Sequence, residues 1–341
     1  MHIKRVILDT DIGKDVDDAI AIVLALSLPN LKIEAITTSY GNVEIRSRMA
    51  LKLLKLTNKL GKIPVANGAP FPLLREVEYS WSEHEGKGIL DQNDGILRPI
   101  EQHAIDLIID LVMKNQGKIT IIAIGPLTNI ALAIRKDSRI IKNIKELIVV
   151  AGTARIFGLS SDFPESYIIE PNVRCDPEAA AIVFSSGIPI TMIGTDVTTK
   201  VPINRTHLEI IKKINTPLMK CMAEMIEIFW NFTKNKYGWS GNESLMYDPL
   251  GVAVCAYPEL VDTERCRVIV ETSGKHTIGQ TIVIPWTMKE SKWQKRFVEN
   301  NISKMGPKQI DGLVYNVEVA YKVNSEKFIN MLIDKICSDF Y

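Results

Sequence analysis

The densest chemistry in the chain lies near its start. Asp9-Thr-Asp11-Ile-Gly13-Lys-Asp15-Val-Asp17-Asp18 carries five carboxylates in ten residues, between the apolar runs Val6–Leu8 and Ala19–Leu28. Asp9 and Asp11 are two apart and project to one side of an extended chain. Asp17 and Asp18 open the next segment, where a helix dipole favours negative charge, so capping would account for either one alone. Five acids this close drive one another's pKa upward unless a cation sits among them. Carboxylate oxygens are hard ligands that suit calcium or magnesium rather than zinc. Such an ion lowers the pKa of bound water, and a nearby carboxylate can then take the proton.

Other polar residues further along repeat a capping grammar. Asn42 follows Gly41 ahead of a helical stretch, while Asp176-Pro177 and Asp248-Pro249 each pair an N-cap type with proline at the first helical position. Glu170 and Asn172 interrupt the apolar context Ile-Ile-Glu-Pro-Asn-Val. Polar groups in such a place are usually surface-facing or satisfied internally.

Taken together, these blocks resemble a known family. The N-terminal acids, Ala35-Ile-Thr-Thr-Ser-Tyr-Gly41-Asn42, Ala123-Ile-Gly-Pro-Leu-Thr-Asn129, Glu170-Pro-Asn172 with Asp176-Pro-Glu-Ala-Ala180, and Tyr247-Asp248-Pro249 follow the order and spacing of the nucleoside N-ribohydrolases (inosine–uridine nucleoside hydrolases). The first block is similar to the longer variant with two extra residues before the final Asp pair. The likeness runs from residue 5 to about 255 and carries no diagnostic motif beyond.

The resemblance implies a calcium-dependent hydrolase that splits a ribonucleoside into free base and ribose. By position, Asp11 is then a metal ligand and the general base, Asp18 a second ligand and Asp248 a third that also touches a ribose hydroxyl. The backbone carbonyl of Ile124 completes the ligand set. Asp17, Asn42 and Asn172 hold the ribose 2′- and 3′-hydroxyls, and Glu170 the 5′-hydroxyl. Asp9 orients its neighbours; Asp15, in the insertion, has no assigned part. An acidic pocket suits this reaction, because its transition state is oxocarbenium-like and positively charged. Hydrogen bonds to the sugar hydroxyls fix the ring beside the base. A homodimer or homotetramer is also implied.

Three positions depart from the family's pattern. Tyr247 stands where many members have the histidine that protonates the leaving base, and a phenol with a pKa near ~10 is far from the optimum for that task. It is either the donor or a wall of the base pocket. His84, in Glu83-His-Glu-Gly86, matches a lid histidine of the family and is the other candidate donor, with an exposed loop histidine as the plain alternative. No asparagine lies in Ser160–Ser166, upstream of Glu170, which leaves the 5′ contact open, and Val150 takes the place of a methionine against the ribose. Two other functions compete. One is a ribose-binding protein that has lost its acid; the other is a magnesium-dependent aspartyl phosphatase, which would leave Asn42, Glu170 and Asn172 unexplained.

The elements that must carry these residues alternate. Strand-like Arg5–Leu8, Lys32–Thr37, Ile119–Ala123, Glu146–Val150 and Ile188–Ile193 are interleaved with helical Asp17–Leu28, Val43–Leu60, Leu127–Arg135 and Pro177–Ser185. Short apolar strands between helices imply an α/β fold with a mostly parallel sheet covered on both faces; the resemblance makes it Rossmann-like. Ligands then sit beyond the carboxyl ends of the strands. Residues 68–100 and 230–248 break the rhythm and read as lid loops on one large domain, 1–341. Trp230, Tyr237 and Trp239 in the second are either base-stacking residues or core.

Composition is ordinary for a globule with a sizeable core: 341 residues, 46% hydrophobic, 24% charged, formal charge +1. That balance gives no electrostatic reason for nucleic acid or a membrane surface as partner; a small-molecule nucleoside is the expected one. The five cysteines are scattered and never form a CxxC pair, which points to a reducing compartment. With no signal peptide and no apolar run long enough to span a bilayer, the expectation is a cytoplasmic protein. No phosphate-loop or GxGxxG fingerprint follows a strand.

Overall fold

The computed structural model describes residues 3–75, 84–154, 169–286 and 316–338. Its frame begins with β1 (Lys4–Thr10), buried from Val6 onward. Val6 and Leu8 face one core and Ile7 the other, the two-residue period of a strand covered on both sides. Further strands are β2 (Leu31–Thr38), β3 (Val65–Asn67), β4 (Ile119–Ala123), β5 (Ile144–Val149), β6 (Ile190–Met192), β7 (Pro202–Asn204), β8 (Glu243–Leu245), β9 (Val261–Val270), β10 (Thr281–Pro285) and β11 (Val317–Val323). Nine of them form one sheet, β10-β9-β11-β6-β5-β4-β1-β2-β3, and β7 pairs with β8 apart from it. Every pairing from β3 across to β11 is parallel, and only β9 runs against its neighbours. The expected mostly parallel sheet is present, and the strands after residue 260 extend it.

The helices are α1 (Asp17–Ser27), α2 (Val43–Leu56), α3 (Ala104–Lys114), α4 (Thr128–Lys136), α5 (Ile140–Asn143), α6 (Pro171–Cys175), α7 (Pro177–Phe184), α8 (Thr195–Thr198), α9 (Arg205–Lys212), α10 (Pro217–Tyr237), α11 (Tyr247–Ala256) and α12 (Ser325–Ser338). One face of the sheet is covered by α1, α2 and α9 to α12, the other by α3, α4 and α7. α1 is apolar all round because it lies between the sheet and α11 and is buried almost throughout.

Two expectations need correcting. α2 stops at Leu56 rather than Leu60: the Thr57 hydroxyl bonds back to Leu53 O at 2.8 Å, and Asn58 turns the chain with φ 56°. Most of the supposed second lid is regular. α10 runs to Tyr237 and ends at Gly238, whose φ of 70° is the left-handed close that glycine supplies without strain. β8 follows at once, so the irregular part shrinks to the few residues between. Of the first lid, residues 76–83 lie outside the described residues; the rest includes a 3₁₀ turn over Gln92–Ile96 closed by an Asp91–Asp94 capping box. Among the described residues no helix is long and apolar enough to cross a membrane.

Candidate active site

The acids sit where β1 ends, beside the carboxyl ends of β2, β4 and β5. Asp9 is fully buried, and its Oδ1 accepts from the Thr37 hydroxyl (2.5 Å) and the Asn129 amide (2.8 Å). Asn129 also donates to Thr38 O and accepts from the Ala69 N–H, so one side chain joins β1, β2 and the chain after β3. Burial pushes the Asp9 carboxyl up to about 7 in spite of these bonds. Asp9 thus ties the end of β1 to β2 and α4.

At the start of α1, Asp18 accepts from the Thr10 hydroxyl at 2.5 Å, and Asp17 Oδ2 accepts from the backbone N–H of Asp248 at 3.2 Å. Packing of α1 on α11 brings residues 231 positions apart into contact. One carboxylate oxygen from each of Asp17, Asp18 and Asp248 lies within 4.8 Å of the others, and all three residues are buried. Burial, reinforced by neighbouring Asp15, lifts Asp17 to about 8; burial and mutual repulsion hold Asp18 and Asp248 well above the usual carboxylate range. Three hard oxygen donors converging in one buried place fit a divalent cation, whose arrival would relieve their mutual repulsion.

Asp11 adjoins this cluster but is engaged differently. Its Oδ2 lies 3.3 Å from Nη1 of the buried Arg46, and Arg46 Nη2 lies 3.8 Å from Glu85 Oε2. Gly125 backs it so closely that a Cβ there would stand 2.9 Å from Asp11 N and 3.0 Å from its Oδ1. The resemblance named Asp11, Asp18, Asp248 and the Ile124 carbonyl; the three acids that converge are Asp17, Asp18 and Asp248. Ile124 O accepts from the Asn172 side-chain amide (3.2 Å), which also donates to Val150 O (2.9 Å).

Glu170 is buried as the N-cap of α6, accepting from the N–H groups of Gly152, Asn172 and Val173. A carboxylate offers about four acceptor sites, so Oε1 keeps capacity for one more donor such as a hydroxyl. Asn42 caps α2, accepting from Ile45 N at 3.1 Å, and its side chain is exposed at the turn made by Tyr40 (φ 61°) and Gly41 (φ 69°). Asp176 caps α7 and binds Thr128 Oγ1 and Leu73 N, a structural assignment throughout.

His84 is not an exposed loop residue. It is buried, its Nε2 lies 2.5 Å from Lys14 O, and its ring packs 4.0 Å from that of Phe232. A carbonyl only accepts, so Nε2 carries the hydrogen. Tyr247 opens α11, and burial, with Asp17 next in effect, raises its phenol above the ordinary range. Trp230 belongs to the core and donates to Ser244 Oγ at 2.6 Å, whereas Tyr237 and Trp239 are exposed, their rings in tilted contact. The sequence reading missed Arg46 and Glu85. The available signal was the α2 stripe Arg46, Met49, Ala50, Leu53, which places a charge on the buried face.

The fold and this site define a class. Solved nucleoside hydrolases share the architecture: a purine-preferring ribonucleoside hydrolase from Gardnerella vaginalis superposes with a TM-score of 0.79 at 28% identity over 99% of both chains. The plant nucleoside hydrolase PpNRh1 gives 0.78 at 26%, over 98% of this chain and 99% of that one. The model of the inosine–uridine preferring nucleoside hydrolase family matches residues 6–330, and the chain belongs to that family. It is an N-glycosyl hydrolase. Curated relatives include pyrimidine-specific ribonucleoside hydrolase RihA of Shewanella baltica (strain OS185), 33% identical over 98% of this chain and 96% of its own length. RihA of Shigella boydii serotype 4 (strain Sb227) is 36% identical over 84% and 90%.

Proposed function

We propose that the chain hydrolyses the N-glycosidic bond of ribonucleosides to free base and ribose, with calcium as its resident ion. The observation that carries this is the buried convergence of Asp17, Asp18 and Asp248, with Asp11 alongside. These three and Asp11, with the Ile124 carbonyl, are the groups that would hold the ion, which when bound lowers the pKa of water in its shell. Asp11 takes a proton from the attacking water as the new C1′–O bond forms and the C1′–N bond breaks. His84 supplies the proton that leaves with the base, and Tyr247 walls the pocket. Asn42, Asn172 and the remaining acceptor of Glu170 hold the ribose hydroxyls. The acids as a group stabilise the cationic sugar. The pyrimidine-specific names of the curated relatives put uridine and cytidine first among substrates.

In this reading residues 1–341 are one domain that works in a reducing cytoplasm as a homodimer or homotetramer, on the family resemblance and on five cysteines that are all free. The test is base release from uridine, cytidine, inosine and adenosine, with calcium and after chelation. Activity should require the ion and fall at least 1,000-fold, on the order expected for loss of a base acting with bound water, in Asp11→Ala with an unchanged circular dichroism spectrum. His84→Gln should slow chemistry more than Tyr247→Phe. No base release from any nucleoside with calcium present overturns the proposal.

A further inference from the structure

The chain that leaves β5 is held at almost every backbone polar group. Gly152 N–H donates to Glu170 Oε2 at 3.0 Å, and Gly152 O accepts from the N–H of Thr195, the first residue of α8, at 3.0 Å. The Ala154 N–H donates to Asp196 Oδ2 at 2.6 Å, and the hydroxyls of Thr153 and Thr195 share a hydrogen bond of 2.7 Å. Between these, Thr153 commits its N–H and its carbonyl to one side chain. The Thr281 hydroxyl accepts from Thr153 N at 2.9 Å and donates to Thr153 O at 2.6 Å. A single hydroxyl, donor and acceptor at once, thus closes the pair of bonds that a neighbouring strand would otherwise make.

Thr281 comes from a distant part of the fold. It opens β10, the edge strand that β9, β11 and β6 separate from β5, so no strand pairing accounts for the contact. It also lies beyond residue 255, where the blocks that resemble the family have ended. Its methyl group bounds the same turn. Gly152 has φ 76°, which glycine adopts without strain, and a Cβ there would stand 2.6 Å from Met192 Cε and 3.0 Å from Thr281 Cγ2. Gly152 therefore turns in a slot between Met192 and Thr281, and in that conformation its N–H meets Glu170.

The N–H groups of Asn172 and Val173 belong to the helix that Glu170 caps. Among the described residues, Gly152 supplies the donor to Glu170 that comes from outside α6. That bond ties the cap to the end of β5. Together with Val173 it occupies Oε2, and it leaves Oε1, which accepts from Asn172, as the oxygen open to a sugar hydroxyl.

We propose that Thr281 is a positioning residue for Glu170: its hydroxyl fixes Thr153 and, through it, the Gly152 N–H that aims the carboxyl at the 5′-hydroxyl of the nucleoside. This deepens the reading of Glu170 as the 5′ ligand and rests on it. Steady-state kinetics with uridine and 5′-deoxyuridine test it, because the ratio of the two kcat/KM values on one preparation is independent of how much protein is folded. The parent should prefer uridine by about 30-fold, the order set by one hydrogen bond to a charged group. Thr281→Val keeps the branched shape without the hydroxyl and should cut that preference at least about fivefold, chiefly by raising KM for uridine. Thr281→Ser keeps the hydroxyl and should retain the preference.

A smaller cut in Thr281→Val, with both nucleosides slowed alike, assigns Thr281 to stability alone and overturns the proposal. A loss in Thr281→Ser as large as that in Thr281→Val overturns it too. A parent that does not distinguish the two nucleosides overturns the reading of Glu170, and the proposal with it, before any variant is made. Should the parent release base from neither, the hydrolytic reading fails instead, and the same ratio taken from calorimetric Kd values of the two nucleosides decides whether Thr281 positions Glu170.

Discussion

The substitution Asp17→Asn removes one charge from the acid cluster with almost no change of shape, and its effect on stability should depend on both pH and metal. In the metal-free protein the Asp17 carboxyl titrates at about 8, against about 4 in an unfolded chain. Between those values the folded state holds a proton that the unfolded state has released. Stability is therefore lost as pH rises through the window from about 4 to about 8. Four pK units at about 1.4 kcal/mol each set a ceiling of roughly 5 kcal/mol on that loss. The neutral amide of the variant escapes it and can still accept from the Asp248 N–H with its side-chain oxygen. In chelator, parent and variant should melt together near pH 4, and the variant should become progressively more stable toward pH 8. Even about 2 kcal/mol would move the melting temperature by a few degrees. Calcium should invert the order at pH 8, because only the parent has the full acid set to gain from the ion. Calorimetric scans at both pH values, with and without calcium, check this. A parent–variant difference in chelator that stays flat from pH 4 to pH 8, or that favours the parent at pH 8, refutes the electrostatic account of the cluster.

Two further substitutions probe the frame. Asn129→Ala strips a donor from Asp9 and leaves the Ala69 N–H without its acceptor; denaturant titration should show a loss of about 2–4 kcal/mol. Gly125→Ala places a methyl against the Asp11 backbone, which cannot swing aside. Steady-state kinetics should show kcat down about 100-fold, the scale of an ångström-sized misplacement, with a much smaller change in KM.

The frame was legible because its signals are local. Buried apolar runs marked β1 and β4, and the acids after β1 marked both the helix start and the metal chemistry. Errors arose where a side chain closes a helix early or where tertiary contacts decide. The Lys-Leu pattern of α2 continues past Leu56, but Thr57 and Asn58 turn the chain there. The aromatic-rich stretch from Trp230 resembled one irregular lid because the Trp230–Ser244 bond that makes Trp230 core links residues no local pattern relates. At the site, motif spacing brought out Asp18 and Asp248, whereas the ion pairs of Arg46 with Asp11 and Glu85 join three segments that no local pattern relates. Asn42 caps α2, as its place after Gly41 suggested, and Glu170, singled out for a sugar hydroxyl, caps α6, so backbone N–H groups fix both positions.

The Asp17–Asp248 contact sets an order of events during synthesis. A nascent chain carries its first acids out of the ribosome some 231 residues ahead of the last. Until α11 emerges and docks on α1, the early carboxylates face water, remain ionised and repel one another only weakly. The three-acid cluster is therefore complete only in a chain whose parallel strands around β1 have already been made.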